Sequence, residues 1–318
     1  RKVKKRNNIF AFMGAFHGMT LGSLSMTTDR DSREGAGVVL TDVTHIPTPY
    51  MFPELDVLKY MQTLLDDDHS GVSKPAAVFV EPVQADGGIH VFSVEFLKGL
   101  RDFCTRNDIL LVCDDIQVGS ARTGTYFSFE RAGITPDIVT LSKSIGGYGM
   151  PFALVLFKPE LDVWKPGEHN GTFRGSQLSI VAAKAGLELM LKDNVEKEVQ
   201  RKGEIIKEYL GKVKEINESF DVRGIGFMWG VDCNKVAPDA VSRAISKAGI
   251  SPQDADVIFA GDLLNQCTGS AFALRELHIP FTGLYGACST MAESLILAAF
   301  AVGGGFCKNV VAMTSSHF

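Results

Sequence analysis

The sequence predicts an α/β protein: a mostly parallel sheet with helices on both faces, followed by a second, partial βαβαβ segment. Three observations carry this. The runs AAVFVEPV (76–83), ILLVCDD (109–115) and DIVTLSK (137–143) are short and almost wholly apolar, as strands covered on both faces are. Between the first two, VEFLKGLRDFCTRND (94–108) places Phe96, Leu97, Leu100, Phe103 and Cys104 at helical spacing. Strand, helix, strand in that order is the crossover unit of an open doubly wound sheet.

Taken in chain order, the basic cluster Arg1, Lys2, Lys4, Lys5, Arg6 reads as the solvated end of a helix. The first residue is not methionine and no signal peptide pattern follows, so the chain is expected to be a piece of a longer protein. Asp66, Asp67 and Asp68 oppose a helix C-terminus, so the helix before them is expected to stop short of the run. An amphipathic segment runs from Gln177 to about Glu218, and RGIGFMWGVDC (223–233) reads as one strand. The character changes near residues 233–240, which divides the 318 residues into 1–233 and 234–318. In the second part NKVAPDAVSRAISKAGI (234–250) is expected to open a helix with Pro238 near its start, and 272–280 reads as a helix ending before its proline. ADVIFAGD, FTGLYGAC and NVVAMTSS read as strands, and STMAESLILAAFAV as a helix.

Composition narrows the function. A net charge of −5 leaves no nucleic-acid footprint. The longest apolar run, Leu295 to Val302, is far short of a membrane span. The six cysteines are scattered without a CxxC pair; reduced, buried thiols in the cytoplasm fit better than disulfides or a zinc site. His45, His69 and His90 lack metal-ligand spacing, so no metal is expected, and SIGGYG has no GK[ST] after it and is not a P-loop.

In a doubly wound sheet, ligands sit at the carboxyl ends of the strands. Glu81 closes the first strand, Asp114 and Asp115 the second with Gln117 just beyond, and Lys143 the third. A lysine amine and a carboxylate facing one crevice are what pyridoxal phosphate requires: the amine condenses with its aldehyde, and the carboxylate keeps its ring nitrogen protonated. A partly desolvated lysine would also be the better nucleophile. Spacing alone is equally consistent with a structural Asp–Lys ion pair.

The wording of the motifs separates these readings. CDDIQVGSARTGTYFSFERAGITPDIVTLSKSIGGYGMP (113–151) resembles class III pyridoxal-phosphate aminotransferases, and the likeness covers about residues 1–233. FHGMTLGSLSMTTDRDSREGAGV (16–38) and SKSIGGYGMPFALVLFKPELDVWKPGEHNGTFRG (142–175) bring it nearest to the diaminobutyrate–2-oxoglutarate aminotransferases of ectoine biosynthesis. The resemblance implies a fold-type I large domain and a homodimer. It implies transfer of an amino group between glutamate and aspartate 4-semialdehyde, giving 2,4-diaminobutyrate and 2-oxoglutarate. It makes Lys143 the catalytic, cofactor-bonding lysine and pairs Asp114 with the ring nitrogen. Gln117 would hydrogen-bond the ring oxygen, Phe16 would stack on the ring, and His17 would lie beside it. Thr172 would bind the phosphate, in the partner subunit's site, and Glu81 would shape the substrate pocket.

The tail is different. AGDLLNQ (260–266), GACSTMAES (286–294) and TSSHF (314–318) resemble stage V sporulation protein AD, a thiolase-like family linked to dipicolinate uptake. Cys288 stands at a strand-to-helix turn where a thiol would be activated, and His317 is a weak companion; a small buried thiol is the favoured reading. Each family is represented in part, which is expected of a chimeric or mis-assembled reading frame or of a natural fusion. Non-catalytic dipicolinate binding through the tail, or an inert product, are the alternatives to transamination.

Overall fold

The strands and helices of the first unit arise from the alternation that the apolar runs announce. A computed structural model describes all residues except 148, 217–219, 233–240, 242–243, 263–273, 275–276, 285–289 and 316–318. Cys233, Cys288, His317 and the start of the helix expected near Pro238 lie outside the described residues, as do 272–273 and 275–276 of the helix expected at 272–280. The chain divides into two compact units, Arg1–Val231 and Asp232–Phe318.

In the first unit, β1 (Ile9–Phe12), β2 (Val43–Ile46), β3 (Ala77–Val80), β6 (Leu110–Asp114), β7 (Ile138–Leu141) and β8 (Leu154–Phe157) form one sheet. Its order is β2-β1-β3-β6-β7-β8, parallel except for the antiparallel edge strand β8. The short strands β4 (Val83–Gln84) and β5 (His90–Val91) pair antiparallel beside it.

Alternation along the strands sorts the core. Phe10, Phe12, Val78, Val80, Leu111, Cys113, Val139 and Leu141 face one side, where Val57 and Met61 of a helix at Val57–Asp66 pack with Leu97, Leu100, Phe103 and Cys104 of another at Val94–Arg106. We call these helices α3 and α4, after α1 (Leu21–Leu24) and α2 (Arg30–Glu34). Ile9, Ala11, Ala77, Leu110 and Val112 face the other side, against Met26 and Leu161. Helix α4 starts where Ser93 accepts a hydrogen bond from the Phe96 amide at 3.0 Å, a cap that frees the chain from an unpaired donor.

Four expectations are corrected. The N-terminal basic cluster is not helical; turns lead into β1, and Lys4 and Arg6 pair with Asp108. These residues are therefore held by charge rather than by an apolar stripe. Helix α3 takes in Asp66 and is capped at Asp67, because its end is exposed and its charges are solvated. The segment from Gln177 breaks into α5 (Gln177–Lys192) and α6 (Val195–Ile216) at Asn194, which sits at φ +55°. The run 223–233 is a hairpin, β9 (Asp221–Ile225) and β10 (Met228–Asp232). It turns at Gly226, φ +57°, where an added Cβ would lie 2.5 Å from the Arg122 carbonyl oxygen.

The second unit contains a parallel sheet of its own, ordered β12-β11-β13, from β11 (Val257–Asp262), β12 (Phe281–Gly283) and β13 (Val310–Ser315). Helix α7 (Thr290–Gly303) precedes β13. Its core gathers Val241, Ile245, Ile258, Ala260 and Leu274.

Candidate active site

The carboxyl ends of β3, β6 and β7 bring the polar residues together. Asp114 ends β6 on the same face as Leu110 and Val112, and is buried. Its Oδ2 accepts from His17 Nδ1 at 2.8 Å, and its Oδ1 accepts from the Ile116 amide at 3.1 Å. His17 is buried, with its amide donating to Thr27 Oγ1 at 2.9 Å and its ring set edge-on to Phe79. Its Nε2 is buried without a hydrogen-bond partner. Burial alone would lower the His17 pKa; the hydrogen bond to Asp114 and the charges of Glu81 and Asp114 outweigh it and raise the imidazole above its ordinary value.

Glu81, just beyond β3, accepts from the Phe16 amide at 2.9 Å. It is buried, and burial pushes its carboxyl up to about 7, with Asp114 and Asp86 adding to the shift while His17 and the Phe16 amide oppose it. The segment 13–17 is held to the segment 81–87 a second time: Gln84 Nε2 donates to the Met13 carbonyl at 3.0 Å while its Oε1 accepts from the Tyr50 hydroxyl at 2.6 Å. A third approach needs glycine, since a Cβ on Gly87 would lie 2.3 Å from the Gly14 carbonyl oxygen. Phe16 is thus set by its backbone beside Glu81, half-buried.

Lys143 lies just past β7, after Ser142, and donates from Nζ to Gln117 Oε1 at 2.8 Å. It occupies the left-handed region at φ +51°, a conformation that costs a non-glycine residue about 1–2 kcal/mol. The side chain is exposed rather than partly desolvated, because it ends a strand next to the sheet's edge strand β8, whose Leu154, Val155 and Leu156 are themselves exposed. Asp86 faces the same crevice: burial raises its carboxyl and the Lys143 charge pulls it down, with a net rise.

The structure therefore joins Asp114 to His17, Phe16 to Glu81, and Lys143 to Gln117 at neighbouring strand ends. Thr172 is not brought to this group; it lies exposed in the turn after Gly171. Arg122 and Ser144, which sequence reasoning assigned no role, flank the lysine; Arg122 Nη2 donates to Ser144 Oγ at 2.6 Å. No local pattern pairs two residues on separate loops. Asp115 points away, accepting from the Ser128 amide at 2.9 Å, and burial raises its carboxyl to about 6. A cleft of about 690 Å³ lies at the opposite ends of the strands among Lys4, Arg101, Asp137 and Lys158, whose charges pair with one another or with Asp108.

Comparison with known proteins gives this arrangement a family. The aminotransferase class-III model matches residues 1–258, and the chain belongs to that family. The model of stage V sporulation protein AD matches residues 215–318, so the two overlap. A diaminobutyrate–2-oxoglutarate transaminase of Sporosarcina pasteurii is 49% identical over 250 residues, 78% of this chain and 59% of that protein. Another from Streptomyces coelicolor is 51% identical over 237 residues, 73% of this chain and 56% of that protein. The chain thus spans somewhat more than half the length of these relatives. Among solved structures, an (S)-enantioselective omega-transaminase from Thermomicrobium roseum superposes with a TM-score of 0.65 at 26% identity, covering 71% of this chain and 54% of that one. The ornithine aminotransferase from Toxoplasma gondii does so at 0.66 and 26% identity, covering 77% and 56%.

Class III aminotransferases are pyridoxal-phosphate-dependent, and the residues present suit that group. The Lys143 side-chain nitrogen, the Gln117 amide it meets and the buried Asp114 carboxyl group stand at adjacent strand ends, the set that an aldehyde, a ring hydroxyl and a ring nitrogen require. Among the described residues no group of His, Cys, Asp or Glu could hold a metal, and no helix is long and apolar enough to cross a membrane.

Proposed function

We propose that this chain carries the active site of a diaminobutyrate–2-oxoglutarate aminotransferase, moving an amino group between glutamate and aspartate 4-semialdehyde. The observation that carries the reading is the pair of contacts at adjacent strand ends: His17 to Asp114 at 2.8 Å and Lys143 to Gln117 at 2.8 Å. The identity of about half to relatives named for that activity supports it. Bound there, pyridoxal phosphate supplies an aldehyde for amine exchange and an electron-withdrawing ring.

The protein's own residues would do the rest. Asp114, fixed by His17, would accept a hydrogen bond from the ring nitrogen. Gln117 would orient the ring oxygen and Phe16 would cover a face. Lys143 Nζ would bond the cofactor at rest and then carry the proton from the substrate carbon. Glu81 and its neighbour Asp86 would line the side where the amino acid enters. Thr172 would reach the phosphate of a second copy, which makes a homodimer in the cytoplasm part of the proposal. Residues 1–233 would form the aminotransferase part and 234–318 the thiolase-like part.

The test is a visible spectrum of the full chain with pyridoxal phosphate, beside Lys143→Ala, before and after 2,4-diaminobutyrate. A band that needs Lys143 and changes with the amine is expected. Identical spectra from the two proteins would overturn the reading, and dipicolinate binding by both would favour the tail-based alternative.

A further inference from the structure

Non-glycine residues at positive φ occur in several loops of the first unit, and three of them lie in the lysine's own segment and in the loop that meets it. Lys143 stands at φ +51°, and Ser120 and Ala121, two consecutive non-glycine residues, stand at φ +56° and +66°. Such conformations persist only where the surroundings over-determine them. Two side chains adjoin Lys143 in sequence, and each is tied. Ser142 Oγ donates to the Phe152 carbonyl at 2.9 Å. Ser144 Oγ accepts twice from one guanidinium, at 3.1 Å from Arg122 Nε and 2.6 Å from Nη2.

Arg122 is itself anchored. Its carbonyl accepts from the Phe227 amide at 2.8 Å, at the hairpin turn where only glycine fits at 226. Two residues on, the Gly124 carbonyl accepts from Gln200 Nε2 of α6 at 2.6 Å. The loop carrying Arg122 is therefore fixed from the hairpin and from the helix, and its guanidinium reaches across to the residue after the lysine.

We propose that Arg122 is a positioning residue of this site: acting through Ser144, it holds Lys143 in its left-handed conformation and keeps its amine on Gln117. The inference rests on the role given to Lys143 above. The guanidinium is a rigid fork, so two donors on one hydroxyl fix both distance and direction. A lysine at 122 would offer one mobile donor and lose the direction.

The test separates this from the cofactor reading. In the full chain without cofactor, amide hydrogen exchange is measured over residues 142–147, where the Ile145 and Gly147 amides donate to the Ser142 and Ser144 carbonyls. Ser144→Ala keeps the Arg122 charge and removes the clamp. It is expected to raise exchange there roughly fivefold, Arg122→Ala equally, and the double variant no further. Ser144→Thr, which keeps the hydroxyl, restores protection. With pyridoxal phosphate added, Ser144→Ala shifts the pH midpoint of any Lys143-dependent band, which a merely structural bond would leave in place. Unchanged exchange in Ser144→Ala, or additive effects of the two substitutions, overturns the clamp whether or not the protein takes up cofactor. The expected exchange pattern in a protein that shows no such band supports the clamp and removes the cofactor reading alone.

Discussion

Glu81 is where charge and burial conflict most openly. Its carboxyl is raised from 4.5 to about 7, burial being the chief cause. The folded state therefore holds the proton more tightly than the unfolded chain. Stability from this group is fully present below its unfolded value and is lost as pH rises through about 7. His17 acts in the same sense: its raised pKa contributes stability that is present below 6.5 and lost as pH climbs past the folded value. Glu81→Gln keeps the acceptor for the Phe16 amide and removes one of these two titrations. We expect thermal melts of the variant and the parent to coincide near pH 4.5. By about pH 8 the variant should be the more stable by a few kcal/mol. A melting difference that is the same at both pH values would show that Glu81 does not titrate between them.

At the scale of elements, Asp137 does the joining. It opens the segment that becomes β7 and accepts from Arg101 of α4 at 2.8 Å, from Lys158 after β8 at 2.6 Å and from the Leu111 amide of β6 at 2.8 Å. Burial alone would raise its carboxyl; these hydrogen bonds outweigh it and hold it below 3.8. Its contribution is present above 3.8 and lost as pH falls through the lower folded value. Asp137→Ala is expected to cost about 3 kcal/mol in urea unfolding at neutral pH, through an unpaired amide and a broken ion pair. A cost below about 1 kcal/mol would mean that solvent satisfies the freed groups. The elements themselves were legible where burial is two-sided: β6 shows only apolar residues before Asp114, so both its course and its polar end can be read. The hairpin at Gly226 was not, because the Gly-Ile-Gly of its turn sits within an apolar run that a continuous strand explains equally well. The N-terminal turns were missed because their order comes from Asp108, a hundred residues away. Lys143 was found by its place after a strand, whereas its exposure depends on what packs over the sheet edge, which no local pattern encodes. The Arg122–Ser144 contact is of the same kind.

For the whole molecule, the question is whether the two compact units make one cooperative fold. The core clusters answer in part. Among the described residues, those of the sheet at 9–157 and of the hairpin draw on residues up to Met228, whereas the third draws on residues from Val241 onward. Among the described residues, the largest sheet of the first unit has six strands and the sheet of the second has three. A core built from its own unit's residues can melt on its own, so the two units are expected to unfold separately. Leu111 and Ile258 are both fully buried on central strands, one in each unit. Replacing either by alanine should cost about 2–5 kcal/mol locally. Calorimetry of the full chain is expected to show two transitions, with Leu111→Ala lowering one and Ile258→Ala the other. A single transition lowered by both would mean that the two units fold cooperatively, and that the strand-end site depends on the second unit.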